Sequence, residues 1–230
     1  MFFPLINLFF PKTCHACSLI LADHETQICV ICRHELPLTN YHYDDPEVIK
    51  KIFYGRIQLE AATALFYFYK GGKIQQLLHQ LKYKGQQELG VFFGKWLGAE
   101  LIESKFFNDI DIVIPVPLHP HKLKKRGYNQ VASFAQYLAL SLNAKYEDSV
   151  LVKSVYTQTQ VFQSREERFQ SVSNSFTAIN LEKIDHLHVL LVDDVITTGA
   201  TIEACVLALN KAENMRLSLA TIAITHSIFR

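Results

Sequence analysis

Net charge is almost absent from this chain: 23 lysines and arginines against 22 aspartates and glutamates leave a formal +1. No global field therefore draws it to nucleic acid or to a membrane, and any such contact has to come from a local patch. Internal repeats and low-complexity tracts are missing, which excludes solenoids and fibrous arrays. The sequence holds no glycine–lysine–hydroxyl phosphate loop and no serine-hydrolase elbow. Long apolar runs are lacking too. The early stretch Met1 to Phe10 is far too short to span a bilayer. It has no cationic start and no small-residue cleavage site, and Pro4 and Pro11 bracket it. It reads as a segment packing on its own domain, with a membrane-dipping anchor as the alternative. The location expected from this reading is the cytoplasm, with a peripheral place at the inner membrane as the alternative.

What is present is enough for one sizeable core and a small appendage: 230 residues, 49% of them hydrophobic. Ala61 to Tyr69 is a β-branched and aromatic run that suits a strand, ended by Gly71 and Gly72. Lys73 to Tyr83 carries Ile74, Leu77, Leu78 and Leu81 at helical spacing. Leu89 to Ile102 predicts a second helix, whose packing face includes the lone Trp96. Ile110 to Val116 predicts a short buried strand, Tyr128 to Leu142 a helix, and Val150 to Val152 a short strand. Val189 to Val192 has the continuous apolar character of a central parallel strand. Thr201 to Leu209 predicts a helix and Arg216 to Thr225 a closing strand. Strands alternating with helices predict an α/β sheet. The organisation read from this pattern is a module over residues 1–40, a linker over 41–60 and an α/β domain over 61–230.

The segment VLLVDDVITTGAT, Val189 to Thr201, is the most informative. An apolar strand runs into Asp193 and Asp194, and Thr198, Gly199 and Ala200 follow before a helix. Ligands of open α/β sheets sit outside the carboxyl ends of the strands. Both carboxylates would thus meet a ligand and accept hydrogen bonds from sugar hydroxyls. The turn would cradle a phosphate with backbone N–H groups and the helix N-terminus. Gly199 permits close approach or positive φ, and Thr197, Thr198 and Thr201 add donors. The competing structural explanation is a tight turn with Asp as a local cap.

Four of the five cysteines form two Cys-x2-Cys pairs, Cys14 and Cys17, then Cys29 and Cys32. Four thiolates at this spacing suit tetrahedral Zn²⁺ in a closed, structural site. Two disulfides or free thiols are the alternatives. Cys205 reads as a small buried residue. The run HPHKLKKR, followed by Tyr128, gathers Lys122, Lys124, Lys125 and Arg126. Such a patch can track a single strand, with phosphates on the cations and a base on the ring; it also suits a solvated face or a diphosphate-binding loop.

The acidic pair and threonine turn look like the phosphoribosyl-diphosphate (PRPP) motif of type I phosphoribosyltransferases. With the four-cysteine segment, HQLKYKG (79–85), PVPLH (115–119) and RGYNQ (126–130), the chain resembles the ComF family, also called ComFC or GntX-like, over roughly residues 5 to 225. That resemblance implies a type I phosphoribosyltransferase-like, mostly parallel sheet flanked by helices, with an N-terminal zinc finger. It implies a PRPP site formed by Asp193, Asp194, Val195, Thr197, Thr198, Gly199, Ala200 and Thr201, with the two aspartates at the catalytic centre and Mg²⁺ on the diphosphate. Lys84 and Arg126 are further candidates for that ligand. Helix capping at RGYNQ and the dipole at a helix end are the competing explanations of their residue types. The resemblance also implies single-stranded DNA as a partner in natural transformation, and contact with other DNA-uptake proteins at the inner membrane. Two readings stay open: a DNA-handling protein that binds PRPP, and a transferase moving ribose 5-phosphate to a base, amine or nucleic acid. The family pattern is broken in Gln160 to Phe176, where Gln160, Ser164, Arg165, Arg168 and Phe176 fit but Gln163, Ser171, Asn174 and Ser175 depart.

Overall fold

Why the Val189–Val192 run is apolar on both sides is plain from its position in the sheet. In the computed structural model, which describes residues 11–45, 47–153 and 175–229, this run lies in β6 (His188–Ile196). β6 is the third of five parallel strands in the order β1 (Ala62–Phe68), β7 (Arg216–Thr225), β6, β2 (Ile112–Pro115), β3 (Lys145–Tyr146). Alternate residues face opposite layers: Leu190 and Val192 enter one core, Val189 and Leu191 the other.

The first layer holds α3 (Lys73–Tyr83), α4 (Glu88–Ile102) and α6 (Ala132–Ser141). The second holds α2 (Glu47–Lys50), α7 (Ala200–Leu209) and a two-stranded antiparallel ribbon of β4 (Leu151–Lys153) and β5 (Phe176–Ala178). The cysteine module, with α1 (Val30–His34), packs on the first layer, and its buried Ile28 and Leu36 join that core. Arg33 lies 4.7 Å from the Trp96 ring centroid, so the single tryptophan helps dock the module on α4. α4 and α6 approach closely because Gly90, Gly94 and Gly98 form a stripe. A Cβ at Gly94 would stand 2.8 Å from the Phe134 carbonyl oxygen.

Three expectations shift. β6 runs to Ile196, four residues past the apolar run, because its pairing with the ten-residue β7 continues through Asp193↔Thr221 to Ile196↔Ile224. The helix expected over Tyr128–Leu142 starts only at Ala132, and a separate α5 (Pro120–Arg126) precedes it. Pro120 opens α5, the His119 ring accepts from the His121 N–H at 3.2 Å, and Gly127 at φ +83° closes it. The stretch expected as a linker over 41–60 is packed: Ile49 and Phe53 are fully buried. Most of the divergent Gln160–Phe176 segment, like Met1–Phe10, lies outside the described residues; Phe176 is buried in β5. Among the described residues no helix is long and apolar enough to cross a membrane.

Candidate functional site

Strand alternation separates the two acids. Asp194 leaves β6 toward the first layer, where Lys82 of α3 donates to Oδ1 at 2.8 Å and the Gln130 amide donates to Oδ2. Asp193 leaves toward the second layer, on the side of Cys205 and Lys153, and accepts the Asp194 N–H at 2.8 Å. Its carboxyl is pushed up to about 8, first by burial and then by the Asp194 charge. Both are buried, at 8% and 5% exposure. Cys205, behind Asp193, is fully buried and its thiol is pushed up by that burial.

The turn after β6 is open to solvent. Thr197, Thr198 and Thr201 are exposed, and the Thr198 hydroxyl accepts from the Ala200 N–H at 3.4 Å. Gly199 sits at φ +81° as the N-cap of α7, and a Cβ there would strike the buried Phe53 ring at 2.6 Å. Glycine is thus required twice, by conformation and by space. Glu203, in the first turn of α7, is paired with Arg56 at 2.6 Å.

Beside Asp194 opens a cleft of about 400 Å³, lined by Lys82, Tyr83, Gly85, Lys122, Lys125, Arg126 and Tyr128. Lys122, Lys125 and Arg126 share one face of α5 at i, i+3, i+4 spacing. Arg126 lies 5.2 Å from the Tyr83 ring centroid and also donates to the Gln130 side chain, so the cleft reaches Asp194 through Gln130. The Tyr128 hydroxyl donates to the Leu81 carbonyl, fixing the ring at the α3 C-terminus.

At the far end of the first layer, the Sγ atoms of Cys14, Cys17, Cys29 and Cys32 all lie within 4.8 Å of one another, and all four thiols are free. The Cys29 N–H and Ala16 N–H point at Cys14 Sγ at 3.3 and 3.4 Å. A tetrahedron of about 2.3 Å Zn–S bonds has S···S edges of about 3.8 Å; Cys17 Sγ and Cys29 Sγ stand 3.8 Å apart. The donor set and spacing fit a tetrahedral thiolate-bound metal.

A family model described as phosphoribosyl transferase domain matches residues 126–227. The chain is 26% identical over 209 residues to DNA utilization protein YhgH of Escherichia coli O6:H1, spanning 84% of this chain and 88% of that protein. It is 29% identical over 130 residues to competence protein F of Haemophilus influenzae, spanning 55% and 57%. It is a homologue of these proteins. Among solved structures, the Bacillus subtilis glutamine PRPP amidotransferase matches with TM-score 0.42 and 21% identity over 61% of this chain and 30% of that one. An adenine phosphoribosyltransferase matches with TM-score 0.40 and 17% identity over 66% and 77%.

In this chain, the structure gathers most of the residues singled out from sequence. Val195, Thr197, Thr198, Gly199, Ala200 and Thr201 follow the acids in one strand end and turn. Lys122, Lys125, Arg126 and Tyr128 share the cleft; Lys124, on another face of α5, is not among its lining. Lys84 caps the end of α3 and is exposed, whereas Lys82 holds Asp194. Lys82 and Gln130 are the residues whose part sequence reasoning missed. Lys82 lies four residues after the buried Leu78 and one after the buried Leu81, so the helical phase places it at the edge of the packed face.

Proposed function

We propose that this chain binds a phosphoribosyl diphosphate at the end of β6 and handles single-stranded DNA through the adjoining cationic cleft. One observation carries the reading: an acid held by Lys82 and Gln130 borders both an exposed threonine turn and a cleft with Lys122, Lys125 and Arg126. The 5′-phosphate would take the amides and hydroxyls of Thr197 to Thr201. Sugar hydroxyls would meet Asp194, with Asp193 supporting the strand end from behind through its bond to the Asp194 N–H. Lys82 and Arg126 would receive the diphosphate, Arg126 by its planar fork. The oxygen donors of the acidic pair suit a hard cation nearby; Mg²⁺ carried on the diphosphate would neutralise its charge. Around an anomeric carbon the Asp194 carboxylate would stabilise developing positive charge.

The relatives' names, DNA utilization protein and competence protein, support a role with DNA in competence; the proposal sets that role in the cytoplasm, beside uptake proteins of the inner membrane. The four cysteines would hold Zn²⁺ as a structural ion, supplying folding energy to a module with little core of its own. One zinc per chain by elemental analysis, with loss of the module's amide protection on chelation, is the expected result.

Calorimetric titration with PRPP and Mg²⁺ tests the phosphate site. Saturable binding of the wild type is expected, and none would refute the reading. Steady diphosphate release on adding a nucleobase or single-stranded DNA would establish transfer, and binding without release a ligand-sensing pocket.

A further inference from the structure

Between the cysteine module and α3 lies a second cavity, of about 610 Å³, that the site above does not use. His15 and Ser18 line its module side; Gln75, Gln76, His79 and Gln80 line its α3 side. On α3 these four lie opposite the buried stripe of Ile74, Leu77, Leu78 and Leu81. The lining contains no lysine, arginine, aspartate or glutamate. A cavity of carboxamides, imidazoles and a hydroxyl beside the Cys17 sulfur, without a cationic side chain, is poorly matched to a phosphate. It is well matched to a neutral, planar heterocycle whose edge carries donors and acceptors. A glutamine amide donates and accepts side by side, which is how it pairs with a base edge. Gln75 Oε1 already accepts the Gly71 N–H at 2.6 Å. Among the described residues no side-chain hydrogen bond engages the amides of Gln76 and Gln80 or the imidazole of His79.

The two cavities are joined by rings. The His79 ring centroid is 5.0 Å from that of Tyr83, and Tyr83 lines the cationic cleft beneath Arg126. About one helical turn, 5.4 Å, separates the neutral side from the charged one. We propose that the two cavities form one nucleotide subsite, with the base held by Gln76, Gln80 and His79 and the phosphate by the Lys122–Lys125–Arg126 face. The inference deepens the nucleic-acid reading and rests on it for the phosphate half. A free mononucleotide and one residue of a strand offer the same chemistry.

Fluorescence anisotropy with the zinc-loaded full chain tests this, using a labelled single-stranded oligodeoxynucleotide, the same strand carrying abasic sites, and AMP as competitor. The wild type should bind the base-bearing strand about tenfold more tightly than the abasic one. Gln76→Ala with His79→Ala, both at exposed positions, should erase that preference and leave the abasic affinity and salt slope unchanged. Lys122→Ala with Lys125→Ala should weaken both strands and lower the salt slope by about 1.4. Competition by AMP at the wild type but not at the Gln76/His79 variant supports the subsite for monomers; retained strand preference without AMP competition supports it for strands. Equal wild-type affinity for the two strands, or an unchanged preference in the variant, overturns the proposal while leaving the cationic cleft standing. Absence of all strand and AMP binding overturns both readings.

Discussion

The two ends of β6 carry similar polar residues and treat them in opposite ways. At the amino end, His188 is 2% exposed and both ring nitrogens are engaged, one by Asp109 at 2.9 Å and one by Ser218 at 2.8 Å. Arg216 pairs with Asp109 at 2.7 Å and holds that carboxyl below its ordinary range, and the Ser218 hydroxyl also accepts the Ala61 N–H. The serine–histidine–aspartate order resembles a hydrolytic relay. Ser218 is fully buried, however, and no substrate carbonyl can approach it. This network is closed: it ties β6 and β7 to the loop before β2 and leaves nothing for a ligand. At the carboxyl end, Asp193 is buried with a raised pKa, Asp194 faces a cationic cleft, and the threonines beyond are exposed. The strand thus ends in a closed polar network on one side and, on the other, in partnered acids that border an exposed turn and a cationic cleft, within 9 residues.

That separation is testable by paired substitutions. The largest expected effect is at the open end. Asp194→Asn should weaken PRPP–Mg²⁺ binding about a hundredfold, the scale of charge-assisted bonds to the sugar. Its thermal midpoint should fall less than that of the closed-end variant below, because the amide oxygen still accepts from Lys82 although its NH2 now faces the Gln130 amide. His188→Ala at the closed end should do the reverse, lowering unfolding free energy by about 2–3 kcal/mol through unpaired buried partners and lost packing. Its PRPP titration should be unchanged while folded. Denaturant melts and calorimetry on both variants check this. A His188→Ala protein with normal stability, or an Asp194→Asn protein with normal binding, would break the contrast.

Much of the open end was legible in the sequence, and the closed end was not. The order of apolar run, two acids, threonines and glycine is local, so the strand, turn and helix could be read directly. His188, Asp109 and Ser218 are far apart in the chain and meet only through sheet order, which local pattern does not encode. The extension of β6 past its apolar run was missed for a related reason: pairing with β7 maintains the strand through two acids that apolar periodicity would exclude. The length of β7, read correctly as ten residues, carried the hint. α5 holds a single apolar residue, Leu123, inside a basic run, and so gave no period; Pro120 and Gly127 were its only marks. The four-residue spacing of Gly90, Gly94 and Gly98 was a readable sign of a close helix contact.

A last expected effect concerns the pH dependence set by Asp193 alone, and its sign separates the two ends once more. In the unfolded chain this carboxyl titrates near its ordinary 3.8; in the fold it titrates near 8. Between those values the folded state binds more protons, so the group favours folding fully below about 3.8, and that contribution fades as pH rises through about 8. The slope from this one group is at most about −1.4 kcal/mol per pH unit. Asp109 has the opposite sign. Its depressed carboxyl adds stability above its unfolded value and loses it only on acidification. Asp193→Asn should therefore flatten the decline of stability between mildly acidic and mildly alkaline pH, and Asp109→Asn should leave that decline in place while softening the acid limb. Urea midpoints across the range measure both. A wild-type protein whose stability rises steadily from pH 4 to pH 8, with no change in Asp193→Asn, would mean that Asp193 is ionised in the fold and that the open end of β6 carries no electrostatic cost.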